Sequence, residues 1–155
     1  MTINIRDYRH SDCVLIADLY RISVHSIDEG IYSKAEQEAW APSSPDYVFW
    51  EQRLSKKLPF VACIHEEIVG FIELESDGHI DCLYTHPAFQ GRGVANKLYE
   101  YLLDQAEAQS IERLYVEASK VALPFFLKRG FYQLKTNHIQ RNGMILVNYS
   151  MECWL

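Results

Sequence analysis

The stretch Leu83-Tyr84-Thr85-His86-Pro87-Ala88-Phe89-Gln90-Gly91-Arg92-Gly93-Val94-Ala95-Asn96-Lys97-Leu98 constrains the fold more than any other part of the chain. It starts as a strand, breaks at Pro87, and passes two glycines. Ala95, Leu98, Leu102 and Ala106 then recur at steps of three and four. That spacing predicts a helix over 93–109 whose first turn follows directly on Gln90-Gly91-Arg92-Gly93. The first N–H groups of a helix lack internal partners, and the helix dipole puts partial positive charge beside them. Two glycines let the backbone approach a ligand, since no Cβ intervenes and positive φ costs little. Such a turn suits an anion, most naturally a phosphate or pyrophosphate. Arg92 and Lys97 add positive charge nearby.

Two other glycine-rich phosphate sites compete for this stretch. A dinucleotide fingerprint needs a third small residue where Asn96 stands, and it usually opens a fold rather than sitting in mid-chain. The G-x-x-x-x-G-K-[ST] pattern of a P-loop is absent. Ordinary turn punctuation is the remaining alternative for an isolated glycine pair.

The rest of the chain supplies the frame. Residues 2–8 alternate like a half-buried strand, and Ser11-Asp12 offers a cap to a helix carrying Val14, Leu15, Ala17, Leu19, Ile22 and Ile27, ending near Gly30. A short helix and loop over 31–44 and a helix from Pro45-Asp46 to Lys57 follow. Three strands come next, over 59–64, 68–75 and 79–85, and their short turns imply antiparallel neighbours. After the glycine helix, 111–118 forms a strand parallel to its predecessor, and 122–128 a short helix ended by Gly130. A final hairpin pairs 131–140 with 144–152 around Asn142-Gly143. The expectation is one α/β domain over 1–155, with a mixed, mostly antiparallel sheet of about seven strands flanked by helices.

The residues carry a resemblance. Gln90-x-x-Gly93-x-Ala95, after a strand ending in Leu83-Tyr84-Thr85-His86-Pro87, resembles the acetyl-CoA signature of the GNAT N-acetyltransferase superfamily. Leu114-x-Val116, Ser119-x-x-Ala122, Phe126 and Gly130-Phe131 fit the next GNAT block at matching distance. The resemblance covers residues 60–132 well and the N-terminal region by general layout. The chain also resembles a group of small bacterial GNAT proteins with a Tyr-Ser…Ala-Trp-Ala segment before a Trp-rich helix, here Tyr32-Ser33 and Ala39-Trp40-Ala41.

The resemblance implies a GNAT fold in which strands 79–85 and 111–118 splay apart and acetyl-CoA enters the V between them. Leu83, Tyr84 and Thr85 would face the pantetheine arm through main-chain groups, and Gln90, Gly91, Arg92, Gly93, Val94, Ala95 and Asn96 would hold the pyrophosphate. Ser119 would bond the CoA arm, and Phe126 stands where many relatives place a tyrosine that protonates the departing thiolate. Phenylalanine has no proton to give. Either the thiolate leaves unaided, or Tyr84, Tyr115 or Tyr132 substitutes. The acceptor site would lie under the region between the first two strands, where Tyr32, Trp40, Tyr47 and Trp50 either line a pocket or pack a two-helix cap. The implied reaction is direct attack by a neutral amine, with CoA as product and no metal.

Three groups are candidates for the proton acceptor. His79, Asp81 and Leu83 share a strand face by the period of two. His79 has a suitable unperturbed pKa of about 6.5, whereas Asp81 needs a raised pKa or a water relay. Asp81 and His79 together rank ahead of Glu73 on the preceding strand.

Composition excludes other classes. The net charge of −6 argues against a nucleic-acid or acidic-membrane binder, and no apolar run approaches the ~20 residues of a membrane span. The N-terminal residues lack a signal peptide's apolar core. Cys13, Cys63, Cys82 and Cys153 show no CxxC spacing, so buried reduced thiols, a cytoplasmic location and no metal site are expected. Three functions remain in different classes: a small-molecule N-acetyltransferase, a protein or peptide acetyltransferase, and a CoA-binding sensor without turnover. The first is favoured, acting as a monomer or homodimer.

Overall fold

The computed structural model describes residues 2–155; Met1, the first residue of the expected domain, lies outside them. The strands are β1 (Asn4–Asp7), β2 (Phe60–Ile64), β3 (Glu67–Leu74), β4 (His79–Thr85), β5 (Arg113–Ser119), β6 (Tyr132–Arg141) and β7 (Met144–Trp154). They form one seven-stranded sheet in the order β1-β2-β3-β4-β5-β7-β6. Every neighbouring pair is antiparallel except β4 with β5. The helices are α1 (Cys13–His25), α2 (Lys34–Trp40), α3 (Tyr47–Lys57), α4 (Val94–Ala108) and α5 (Leu123–Leu127).

Local chemistry sets the boundaries. Ser33 accepts from the Glu36 N–H while Glu36 accepts from the Ser33 N–H, a reciprocal cap that starts α2. Asp46 accepts from the Phe49 N–H and starts α3. The expected first helix ran on towards Gly30, but α1 stops at His25, where the Ser26 N–H closes the last turn onto the Ile22 carbonyl. Asn142 and Gly143 both take positive φ, as a two-residue hairpin turn requires, and β6 and β7 pair along their length. At the β3–β4 turn Gly78 is obligatory, since a Cβ there would stand 1.9 Å from the Arg113 carbonyl oxygen.

Two hydrophobic cores lie on the two faces of the sheet. On one, Val94, Leu98, Leu102 and Ala106 of α4 pack with Ile72, Ile80, Leu114 and Met151. On the other, Ile16 and Leu19 of α1 and Trp50 and Leu54 of α3 pack with Val61, Phe71 and Cys82.

One sequence expectation fails at β4. Ile72 stands opposite Leu83 but Leu74 stands opposite Ile80, so Asp81 and Cys82 together oppose the single residue Glu73. This β-bulge slips the alternation by one. Ile80 and Leu83 consequently join the α4-side core, and Cys82 and Tyr84 the opposite one. Leu83 therefore does not share a face with Asp81, because period-two counting fails across the bulge.

Candidate active site

The parallel pair is short. Only His79 with Tyr115 and Ile80 with Val116 are in register, although β4 runs on to Thr85 and β5 to Ser119. Beyond those two pairs the strands diverge and leave facing backbone edges unpaired. A cavity of about 430 Å³ occupies the fork. Asp81, Cys82, Leu83 and Tyr84 line it from β4, and Val116, Glu117, Ala118 and Ser119 from β5.

The glycine turn follows the open end of β4. Gly91 and Gly93 have φ of +75° and +82°, and a Cβ at either would meet no heavy atom within 4 Å. Gly93 is the N-cap of α4, and the first helical bond runs from the Lys97 N–H to the Gly93 carbonyl at 3.0 Å. The N–H groups of Val94, Ala95 and Asn96 thus precede the internal ladder and point out of the helix start. Open space, positive φ and free N–H groups fit a pyrophosphate. The Asn96 side chain is committed elsewhere, accepting from Arg129 and donating to Glu100. Arg92 lies over the Phe89 ring. Ser119 accepts on Oγ from the Ala122 N–H at the start of α5, and the residue borders the cavity.

A chain of alternating charges holds α3 against the sheet. Arg53 donates to both oxygens of Glu73, to Asp81 Oδ2 at 3.0 Å and to Cys82 Sγ at 3.3 Å. Lys57 reaches Asp81 Oδ2 at 2.7 Å and Glu75 Oε1 at 3.2 Å. His79 bridges Glu75 Oε1 at 2.6 Å and Glu117 Oε1 at 2.8 Å, with its ring stacked on Tyr115. Burial works to raise the Asp81 carboxyl, but the Lys57 hydrogen bond and the Arg53 and Lys57 charges outweigh it and hold the group below its ordinary value. Glu117 chiefly, with Glu75 against the cost of burial, pushes His79 up to about 9. At neutral pH His79 is an imidazolium.

Asp81 alone of the three expected proton acceptors lines the cavity. Glu73 is fully buried and occupied by Arg53, and His79 sits behind Glu117. Of the three tyrosines named as substitutes for the missing acid, Tyr84 lines the cavity. Tyr115 donates to Asp77, and Tyr132 to Glu152 at 2.5 Å, both away from it. Burial holds the Tyr84 phenol well above its usual pKa, so it keeps its proton. Phe126 borders the cavity but is packed edge-on against Phe125 and Phe131 in the α4-side core.

The aromatic residues of the α2–α3 region do wall the cavity. Trp40, Trp50 and Tyr32 line it, joined by Tyr20 from α1, whose ring lies 4.8 Å from Trp50 and 4.7 Å from Tyr84. Tyr47 does not; its hydroxyl donates to Asp18. Tyr32 presents only its ring, since its hydroxyl donates to the Val147 carbonyl at 2.6 Å and accepts from the Lys120 N–H. Sequence reasoning missed Tyr20, Arg53, Glu117 and Arg141 as lining groups. Arg53 and Lys57 stand four apart on α3, the one sequence-level sign of a cationic helix face.

Comparisons with known proteins bear on the fold and the family. Residues 28–153 match the family described as acetyltransferase (GNAT) domain. The chain is 32% identical to the uncharacterized N-acetyltransferase YafP of Escherichia coli K12, over 96% of this chain and 94% of that one. It is 27% identical to the peptidyl-lysine N-acetyltransferase YjaB of Salmonella typhimurium, over 84% of each. A GCN5-related N-acetyltransferase from Rhodopseudomonas palustris superposes with a TM-score of 0.94 at 35% identity, covering 100% of this chain and 97% of that one. The PaiA N-acetyltransferase of Thermoplasma acidophilum, solved with coenzyme A, superposes at 0.80 with 20% identity and full coverage of both chains, a likeness of fold.

Proposed function

We propose that the protein acetylates a primary amine of a small molecule, proceeding from the fact that the chain belongs to the GNAT acetyltransferases, whose acetyl donor is acetyl-CoA. The observation that carries the acceptor assignment is the cavity at the β4–β5 fork, walled by aromatic rings from α1, α2 and α3 and bearing carboxylates at the fork itself. Acetyl-CoA, when bound, supplies an acetyl thioester electrophilic at its carbonyl carbon.

The chain's residues then divide the work. The 90–96 turn holds the pyrophosphate on backbone N–H groups, and the unpaired edge of β4 receives the pantetheine arm and supplies an N–H for developing negative charge. Asp81, with its depressed pKa, is a poor base; it draws the ammonium in. Glu117, about 43% exposed and backed by the His79 imidazolium, takes the proton and passes it to solvent. Tyr84 donates the proton that the leaving thiolate requires. The aromatic rings of Tyr20, Trp40 and Trp50 hold the acceptor's body and exclude water.

The test is CoA release with a panel of small amines. Glu117→Gln should slow turnover by about 10²-fold, the lower range for a general base, without weakening acetyl-CoA binding. Tyr84→Phe should lower kcat while KM for the amine holds. Full activity in both variants would remove these assignments. Absence of CoA release with every amine tested would favour a CoA-binding sensor. The peptidyl-lysine N-acetyltransferase name of one relative favours a second reading, a protein lysine entering the same cavity by its side chain. Acetylation of arrayed peptides at rates above those of any free amine would establish it instead.

A further inference from the structure

The charges around the cavity are unequally committed. Arg53 spends its guanidinium on Glu73, Asp81 and Cys82, Asp81 is shared by Arg53 and Lys57, and Glu117 accepts from His79. Arg141 also lines the cavity, yet among the described residues no acidic side chain pairs with it. By contrast Arg53, the other arginine lining the cavity, holds both Glu73 and Asp81. Nor is Arg141 carried on a loose tip. It is the last residue of β6, and the adjoining Asn142 donates to the Ala39 carbonyl at 2.8 Å, tying the hairpin to α2. Asn148, facing the same cavity from β7, accepts on Oδ1 from Asn137 at 2.9 Å and so keeps its amide N–H groups for another partner. Arg141 shares the cavity lining with the aromatic rings of Tyr20, Trp40 and Trp50.

The cavity is therefore polarised, with carboxylates at the strand fork and uncommitted donors on the β6–β7 wall. We infer that the acceptor is an amino acid-like compound, a primary amine that also carries a carboxylate, with its amine at Asp81 and Glu117 and its carboxylate on Arg141 and Asn148. This rests on the acetyltransferase reading and narrows it. A simple alkylamine leaves Arg141 unmatched, and a polyamine brings a second ammonium against a guanidinium. An apolar or aromatic body between the two charged ends meets Tyr20, Trp40 and Trp50.

The experiment compares matched acceptors that differ only in the carboxylate: phenylalanine with phenethylamine, and leucine with isoamylamine. The wild type should favour each acid over its amine in kcat/KM by about tenfold or more, the scale of a charged hydrogen bond. Arg141→Gln should remove that preference by lowering kcat/KM for the acids while changing the amines by no more than about twofold. Equal or greater use of the amines by the wild type, or equal losses on both members of each pair, overturns the inference. Binding supplies a second readout that does not need turnover. With CoA present, N-acetylphenylalanine should raise the melting temperature of the wild type and not of Arg141→Gln, whereas N-acetylphenethylamine should treat the two proteins alike. If no acceptor turns over but this difference holds, the acetyl-transfer reading fails and the ligand class stands. If the difference is missing, the ligand class fails whatever the turnover.

Discussion

On the α4 side, β4 gives Ile80 and Leu83 to an aliphatic core; on the α1–α3 side, across the bulge, it gives Asp81, Cys82 and Tyr84 to a charged and aromatic wall. In the proposed reaction the first side meets the cofactor through backbone, at a glycine turn and an unpaired strand edge. The second, in the same proposal, meets the acceptor through side chains anchored by ion pairs to α3 and bounded by the β6–β7 hairpin. The contrast separates what a family can hold constant from what each member can change. A pyrophosphate needs N–H groups and open space, which many sequences supply if two glycines remain. An acceptor needs charges in particular places, and here Asp81 and Glu117 are each fixed by a partner on another element.

The largest effect should come from breaking the acceptor side at Arg53. Glu73 is fully buried, and Arg53 supplies its neutralising contact. Removing one partner of a buried pair strands the other charge, at a cost of about 3–5 kcal/mol. Arg53→Met should therefore lower the melting temperature by roughly 10 °C, at the 2–4 °C per kcal/mol expected for this size. Arg53→Met combined with Glu73→Leu should recover most of that loss, because no unpaired charge remains. Calorimetry on the three proteins decides it; a single variant as stable as wild type would mean that the Arg53–Glu73 pair does not stabilise the fold.

The cofactor side should break with less damage to the fold. Gly93 has positive φ, but a Cβ there faces open space, so the backbone strain of Gly93→Val falls on one residue. At a hundredfold excess over Kd, acetyl-CoA should stabilise the wild type by about 2.7 kcal/mol. That is roughly 5–10 °C, and Gly93→Val should lose it. Gly93→Ala carries similar backbone strain with less bulk, so a larger retained shift in Gly93→Ala assigns the loss to obstruction of the phosphate. Circular dichroism must show both variants folded. A full ligand shift in Gly93→Val would move the pyrophosphate away from this turn.

The same contrast explains what the sequence made legible. The glycine turn, the α4 stripe of Leu98, Leu102 and Ala106, the Asp46 cap and the Asn142-Gly143 hairpin are local signals, each decided by residues a few positions apart. Short connections make β2, β3 and β4 neighbours and pair β6 with β7, whereas the placing of β7 rather than β6 beside β5 is not a local signal. The bulge at Asp81 and Cys82 is not local, because it exists only in register with Glu73. Arg53 and Glu73 are 20 residues apart and meet only because α3 lies across β3 and β4. Glu117 and Arg141 were invisible as cavity residues for the same reason: one depends on where β4 and β5 part, the other on a hairpin tied to α2. Tyr84 was named among three tyrosines, and only packing separates it from Tyr115 and Tyr132.

The smallest effect, and the finest test of the charged side, is its pH dependence. His79 is raised from 6.5 to about 9, chiefly by Glu117 and further by Glu75, so its folded pKa lies above its unfolded one. A group of this kind contributes stability that is complete below about pH 6.5 and disappears as pH climbs through about 9. Asp81 has the opposite sign: its depressed pKa contributes above its unfolded value of about 3.9 and is lost as pH falls. Wild-type stability should hence lie on a plateau near neutrality and decline on both sides. His79→Gln should lower the plateau by a few degrees and flatten the alkaline decline, leaving the acid limb in place. The two melting curves should approach each other by about pH 10, where the wild-type imidazole has lost its proton and both proteins lack the cation. Glu117→Gln should flatten the alkaline limb partly, since Glu75 still faces the ring at 2.6 Å. Lys57, tied to Glu75 and Asp81, also faces this cluster and is raised above its ordinary value against the cost of burial, so it titrates later and cannot imitate the His79 step. Parallel curves for wild type and His79→Gln from pH 6 to 10 would show that His79 is neutral in the fold, and Glu117 would then stand without its cation.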